Sequence, residues 1–443
     1  MVLCCWLLLV LLIQEPATGK PAFDQLVLMH GATVEGIVLE ETGQQIRFQF
    51  LLRKPGVRTL VFETLYERSE VARVIKAAEP GRTLARQLIQ KLESSKKHEE
   101  QAIDAVTLKP APWITGNAEA QLYQGTYFEL LSTVPSPLMK LVIVRLEAMF
   151  HAYLATLGKR TQPLKPLRIV LFSTMAEYRR YQQSRGITLL SPAIYDARNM
   201  EIIVGTDLPE QQEQLQSLKR SHQQKLKELN EQRKKIARHY GGQTPSILAR
   251  QLEQLQQQLQ TIDGENESAF AKAQESFLSL LYHEAFHAYL DQWVFPADRY
   301  SVPRWLNEGL AQLFENAFVE IEELRVGRMD DKRLIGIQDA IRAGRFMTIR
   351  ELIQSPLDQF LVRHGSDQFE ADRHYLASWA LAHFLARELK LLGSPSLATY
   401  VTGSSDTNQV ARFEALVGMP LAECEERWKQ YLLRLRSDGT LRP

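Results

Sequence analysis

The segment from residue 209 to residue 262 constrains the fold most strongly. Its composition shifts to Gln, Lys, Glu and Leu, and its apolar residues recur at helical spacing in two runs. The runs are Leu215, Leu218, Leu226, Leu229 and Ile236, then Leu248, Leu252, Leu255, Leu259 and Ile262. Between them, Thr244 is suited to a helix N-cap and Pro245 to a first helical position. The pattern predicts an antiparallel coiled-coil hairpin over 209–262.

Two seam positions of this hairpin carry polar side chains, His222 and Arg233. Apolar side chains would pack better there, so the coil is either weakened or left open to a partner. We interpret the hairpin as a solvated structural arm. A role in docking a protein partner or in gating substrate stays open.

The first quarter of the chain alternates apolar and polar residues in short stretches. The predicted strands are Gln25–Met29, Thr33–Glu40, Gln45–Leu52, Val57–Tyr66 and Val71–Lys76. Glycine and proline separate them, which is typical of turns. Residues 24–77 are therefore predicted to form a small all-β, barrel-like domain, and residues 78–116 a helical connector.

Residues 117–436 are predicted to form a second domain with the hairpin inserted in it. Strands and helices mix up to residue 208, with a hairpin of two strands at Ala193–Asp196 and Glu201–Val204. From Asn266 to Leu435 the pattern is helical nearly throughout. The expected class is α+β, in which a mixed sheet precedes a helical lobe.

Charge and the amino terminus limit the partners and the location. Lys and Arg number 53 against 52 for Asp and Glu, so the chain has no overall electrostatic field that favours binding to nucleic acid or an anionic membrane.

The apolar run Leu3–Ile13 followed by small residues predicts a signal peptide over 1–19 and export to the periplasm or the medium. The run lacks a preceding Lys or Arg, which leaves an uncleaved membrane anchor open. No later stretch reaches the ~20 apolar residues of a permanent span.

Cysteine usage adds one constraint. Two of the three cysteines lie in the predicted signal peptide, so the mature chain keeps Cys424 alone. A single cysteine forms no internal disulfide, and the fold must depend on its core or on a metal.

The chemistry begins with His283, Glu284 and His287 on an apolar, helical stretch. A spacing of four places both histidines on one helix face, where their imidazoles can bind one ion. Glu284 lies one step round the helix and can reach a water on that ion. The motif alone also fits two buried histidines bonded to carbonyls.

A third ligand is predicted on the next helix. Pro303 suits a first helical turn, and Glu308 follows on that helix, 21 residues after His287. A separation of this length is enough for one loop and the start of a second helix that packs back against the first. Two histidines and a carboxylate form a donor set that suits zinc and leaves a position for water.

Together, His283-Glu284-x-x-His287 and Asn307-Glu308 resemble the gluzincin group of zinc peptidases. The resemblance covers roughly residues 130–435 and is closest to bacterial gluzincin-like families of unassigned substrate. It implies a zincin-like domain with Zn²⁺ on His283, His287 and Glu308, and substrate between the mixed sheet and the helical lobe.

The resemblance also implies further site residues. Gluzincins often supply an oxyanion donor from a later helix, which here gives Tyr375, with His383 and His374 as rivals. An edge strand of the sheet holds the peptide in such enzymes, and Glu201–Val204 is the segment nominated. Gln312 stands where some gluzincins have an acidic residue that orients the first histidine.

The function expected from these residues is zinc-dependent peptide hydrolysis with Glu284 as general base. One alternative is a catalytically silent exported protein that binds or assembles partners on a peptidase scaffold. Another is a zinc hydrolase of other amides. The substrate, exo- or endo-cleavage and the oligomeric state are not readable from the sequence.

Overall fold

The fold is described from a computed structural model. It describes residues 21–52, 59–116, 118–163, 165–187, 191–240, 246–320, 323–325, 329, 331–356, 360, 373–403 and 408–442. The predicted signal peptide and most of the predicted hairpin turn, 241–245, lie outside these ranges. Within them, no helix has the length and apolar character needed to cross a bilayer. The chain divides into two compact units, residues 1–100 and residues 101–443.

The first unit is an antiparallel sheet with one helix against it. Its elements are β1 (Asp24–Leu28), β2 (Thr33–Glu41), β3 (Gln45–Leu52), β4 (Leu60–Glu67), β5 (Val71–Ile75) and the start of α1 (Gly81–Ala105). Alternate side chains face opposite sides, so Val38 packs with Phe48 on one face while Ile37 packs with Ile89 of α1 on the other. The strand order β4-β3-β2-β1-β5 leaves β4 and β5 as edges. The predicted strands therefore form an open sheet, and no closed barrel is present among the described residues.

The second unit contains a six-stranded mixed sheet of order β10-β11-β9-β8-β7-β6. Its elements are β6 (Lys109–Pro112), β7 (Glu119–Gln124), β8 (Phe128–Ser132), α2 (Ser136–Leu157), β9 (Leu167–Phe172), α3 (Met175–Ser184), β10 (Ala193–Asp196) and β11 (Glu201–Gly205). The strands β8, β9 and β11 run parallel, and α2 makes the crossover between the first two. Both faces are covered, since Phe172 packs with Tyr178 of α3 on one side and Ile169 joins the core of α2 on the other.

Two long helices, α4 (Leu208–His239) and α5 (Ser246–Tyr289), form the predicted arm. They pair through His222 Nδ1 and Asp263 Oδ1, 2.6 Å apart, and through an ion pair of Lys219 with Glu267. Three predicted seam residues are instead exposed, namely Leu218 (39%), Leu255 (45%) and Ile262 (42%). That part of the seam prediction is wrong, whereas Leu215, Leu226, Leu229, Ile236 and Leu259 are half-buried. The side chains of Leu248 and Leu252 lie outside the described part.

The remainder is a helical lobe. It contains α6 (Arg304–Glu315), β12 (Phe318–Glu320), β13 (Glu323–Arg325), α7 (Asp331–Arg342), α8 (Ile349–Gln354), α9 (Arg373–Arg387), α10 (Pro395–Thr402), α11 (Gln409–Val417) and α12 (Leu421–Arg434). One continuous apolar core joins the sheet, α2, the end of α5 and this lobe. The predicted mixed α+β class is thus confirmed.

Candidate metal centre

The last turns of α5 bring two histidines into the core. Leu281, Ala285 and Phe286 are fully buried, and the Phe286 ring stacks on Phe314 of α6 at 4.9 Å. This packing fixes the rotation of the helix. His283, which is 4% exposed, and His287 therefore share one face, with ring centroids 4.7 Å apart.

The helix α6 supplies the third candidate ligand, Glu308, which is 1% exposed. Its Oε2 lies 3.4 Å from Nε2 of His283, and its Oε1 lies 3.6 Å from Nε2 of His287. One ligand atom from each of the three side chains lies within 4.8 Å of the others. The structure thus brings together the three residues that the sequence nominated, and they could hold a metal ion.

Each histidine is anchored through its other ring nitrogen. Nδ1 of His283 lies 3.1 Å from Oε2 of Glu315, and Nδ1 of His287 lies 2.8 Å from Oδ1 of Asn307. Since a carboxylate and an amide oxygen accept, both Nδ1 atoms carry the proton. Both Nε2 atoms are then left to face Glu308, as metal-binding imidazoles require.

The nitrogen and oxygen atoms that meet here are better placed to bind a cation than to hydrogen-bond to one another. Oε2 of Glu308 is buried and has no hydrogen-bond partner among the described residues. The two Nε2 contacts are too long for good hydrogen bonds. Leaving a buried carboxylate oxygen unsatisfied is costly, and a divalent ion would satisfy it together with both imidazoles.

Glu284 lies beside this group, and strand β10 holds it there. The carboxylate is 6% exposed, and its Oε2 accepts a hydrogen bond from the Tyr195 N–H at 2.8 Å. Burial raises the pKa of Glu284 to about 7, against the opposing effects of His283 and the Tyr195 N–H. A carboxyl with this pKa can take up and release a proton near neutrality.

Without a metal ion, burial and the neighbouring charged side chains determine the protonation states of the three candidate ligands. Burial lowers the pKa of His287 to about 4, which keeps its imidazole neutral. Burial works against protonation of His283, but the carboxylates of Glu308 and Glu315 outweigh it and raise its pKa. Burial alone would raise the pKa of Glu308, yet the histidines and Arg304 outweigh it and lower that pKa. An ion that binds here would displace the His283 proton.

Arg304 pairs with the buried ligand carboxylate. Its Nη2 lies 2.8 Å from Oε1 of Glu308, one helical turn further along α6. The arginine side chain is 40% exposed, so it reaches from the surface into the site. Sequence reasoning named neither Arg304 nor Glu315 as part of the site.

The three candidates for an oxyanion donor lie in different surroundings. Tyr375 is 8% exposed, and burial together with the charge of Glu308 raises the pKa of its hydroxyl. That hydroxyl donates to Phe360 O at 2.9 Å. His383 is a core residue whose Nδ1 lies 2.7 Å from the Tyr431 hydroxyl, and the His374 ring contacts Phe360 edge-on.

Two expectations fail on geometry. Gln312 does not orient His283, because its amide donates to the backbone oxygens of Tyr375 and Glu308. Glu315 takes that role two turns after Glu308, a spacing of seven that puts both carboxylates on one helix face. The strand at Glu201–Val204 is not an edge, because β11 lies between β10 and β9.

A comparison with family models matches residues 278–391 to DUF1570, described as "Protein of unknown function". The matched part contains His283, His287, Glu308 and Tyr375. A comparison with curated proteins gives no match. Fold and site together define a mixed α+β protein with a His-His-Glu group that could hold a metal ion.

Proposed function

We propose that this chain is a zinc-dependent peptidase of the gluzincin type. The observation that carries the proposal is the convergence of both Nε2 atoms on the buried Glu308 carboxylate, with the Glu284 carboxylate held beside them. Hydrogen bonds of His283 to Glu315 and of His287 to Asn307 prepare the rings for an ion. A buried histidine pair in an ordinary core would not need a buried carboxylate with an unsatisfied oxygen.

A zinc ion on this group would act as a Lewis acid toward a carbonyl and lower the pKa of water. Glu284 would take the proton of the attacking water and deliver it to the leaving amine. The Tyr195 N–H holds one oxygen of Glu284, which leaves the other oxygen for this transfer. In the metal-free protein, burial raises the pKa of Glu284, and a nearby cation would oppose that effect and favour the carboxylate form that a general base needs.

The substrate would lie along β10. This strand is at the edge of the sheet, and because its Tyr195 N–H is donated to Glu284, an extended peptide would pair with the backbone carbonyl groups on its outer side. Tyr195 of β10 contacts Glu284 directly, and a peptide on this edge would therefore pass the general base. The peptide-binding role predicted for Glu201–Val204 is thus proposed for β10, the partner strand of the same hairpin.

Tyr375 remains the proposed oxyanion donor. Its hydroxyl is influenced by the charges of Glu308, Arg304 and Glu284, which His383 and His374 are not. To serve a developing oxyanion, the hydroxyl would exchange its bond to Phe360 O for one to the substrate.

One paired measurement tests the proposal. Zinc content and hydrolysis of a mixed peptide library are measured for the wild type, Glu284→Gln and Glu308→Gln. We expect one zinc per chain and turnover in the wild type, zinc but ~10²–10⁴-fold less turnover in Glu284→Gln, and zinc loss in Glu308→Gln.

A well-folded wild type that binds no zinc would contradict the metal site. Zinc without turnover on any peptide, unchanged by Glu284→Gln, would favour the binding-scaffold alternative. Export is likewise proposed, and fractionation of cells that express the full chain tests it.

A further inference from the structure

We propose that Arg304 is a positioning residue that holds one oxygen of Glu308, so that the carboxylate offers only its other oxygen to the metal. The inference rests on the proposed function for the presence of an ion. Arg304 itself is neither a metal ligand nor the general base.

The two oxygens of Glu308 differ sharply. Oε1 lies 2.8 Å from Nη2 of Arg304, within the range of a charge-assisted hydrogen bond. Oε2 is buried without any hydrogen-bond partner among the described residues. A carboxylate that is 1% exposed has little freedom to rotate, so this division of its oxygens is maintained by packing.

The difference between the two Glu308 oxygens determines how many coordination positions of the ion stay open. A carboxylate that binds through both oxygens fills two coordination positions, whereas one that binds through Oε2 alone fills one. Two imidazoles and one oxygen leave room for water and substrate, which a catalytic zinc site requires. A cation that hydrogen-bonds the ligand also withdraws electron density from it, which makes the bound ion a stronger Lewis acid.

An arginine suits this position better than a lysine. Its planar guanidinium can donate to Oε1 of Glu308 with one N–H while other N–H groups reach neighbouring acceptors. The same guanidinium acts to lower the pKa of Tyr375. The pairing is set locally, because Arg304 and Glu308 are four residues apart on α6. The remaining part of Arg304 stays exposed and keeps its charge hydrated.

The test uses Co²⁺ as a spectroscopic probe of the ligand set in the full chain. Chelator-treated wild type, Arg304→Met and Arg304→Lys are titrated with Co²⁺, and visible absorption is recorded. Arg299→Met is the matched control, since Arg299 pairs with Asp298 at an exposed position close in sequence.

We expect the wild type and Arg299→Met to give the same intense bands of a low-coordinate site. Arg304→Met should lose band intensity because both oxygens of Glu308 become ligands, and Arg304→Lys should recover part of it. Identical spectra for bound Co²⁺ in wild type, Arg304→Met and Arg304→Lys would overturn the role of Arg304 and leave the metal site intact. Failure of the folded wild type to bind Co²⁺ would overturn this inference and the proposed metal site together.

Discussion

Replacement of Gly309 by alanine should show whether the close packing of α6 against α9 holds the metal ligand Glu308 in place. Gly309 follows Glu308 and lies where α6 passes closest to α9. A Cβ at this position would lie 2.3 Å from the backbone oxygen of Ser378 and 2.9 Å from Cβ of Ala382. Carbon and carbonyl oxygen ordinarily keep ~3.3–3.6 Å apart, so the two helices must separate by about 1 Å.

The magnitude follows from two opposing effects. Overpacking against a neighbour costs ~1–3 kcal/mol, and the upper end applies because the contact is with backbone. Alanine in place of glycine in a helix returns ~1 kcal/mol. The free energy of unfolding should therefore fall by about 2 kcal/mol. Ligand distances must hold to about 0.2 Å, so a shift of Glu308 by a large part of 1 Å should weaken metal binding ~10–100-fold.

The matched control is Gly264→Ala, because Gly264 also lies inside a helix but a Cβ there meets nothing within 4 Å. That variant should gain ~0.5–1 kcal/mol of stability and keep its metal affinity. Urea denaturation gives the stability, and competition with a chelating dye gives the affinity. If Gly309→Ala is as stable as Gly264→Ala and binds metal as well as the wild type, the close approach of α6 and α9 is not what holds Glu308.

Two further changes address the histidines. Glu315→Ala should lower metal affinity ~10–100-fold, because Nδ1 of His283 loses its hydrogen-bond acceptor. Glu315→Gln keeps an acceptor oxygen and should lower metal affinity less. Equal metal affinity in the wild type and both variants would contradict the anchoring role of Glu315. The folded pKa of His383, lowered by burial to about 3, lies below its unfolded value near 6.5. The unfolded chain therefore takes up this proton first, and stability should fall between pH 6.5 and 3 by up to ~1.4 kcal/mol per pH unit. In His383→Gln, whose amide oxygen can still accept from Tyr431, urea denaturation should show a shallower decline; an unchanged slope would refute the assignment.

The parts of the site that the sequence revealed are those fixed by local spacing. His283 and His287 share a face because a helix repeats every ~3.6 residues, and the apolar spacing around them indicates a helix. The role of Glu315 was missed for a different reason. Its contact with His283 depends on which way α6 faces α5, and that is decided by long-range packing such as Phe286 on Phe314. The pair of Arg304 with Glu308, by contrast, follows from a local spacing of four on α6.

The sheet shows the same limit. The strands at Ala193–Asp196 and Glu201–Gly205 were predicted nearly to the residue from alternation and a turn. Their order was not, because the parallel pairing of β11 with β9 leaves no signal in either strand alone. In the arm, leucine spacing predicted two helices, but it did not predict the contact of His222 with Asp263 between them.

The helix α5 is uninterrupted for 44 residues, from the arm to the turn that holds both histidines. None of its described side chains before Phe277 is buried, and Phe270 and Ala273 are the first described ones that pack against the core, so roughly 35 Å of the helix, at ~1.5 Å per residue, continues outward as one rod. Each residue inserted or removed along this rod turns the arm by ~100° relative to the histidines. The length of the arm is therefore tied to its direction. Any redesign that shortens it must remove about seven residues from each helix at a time to keep α4 opposite α5.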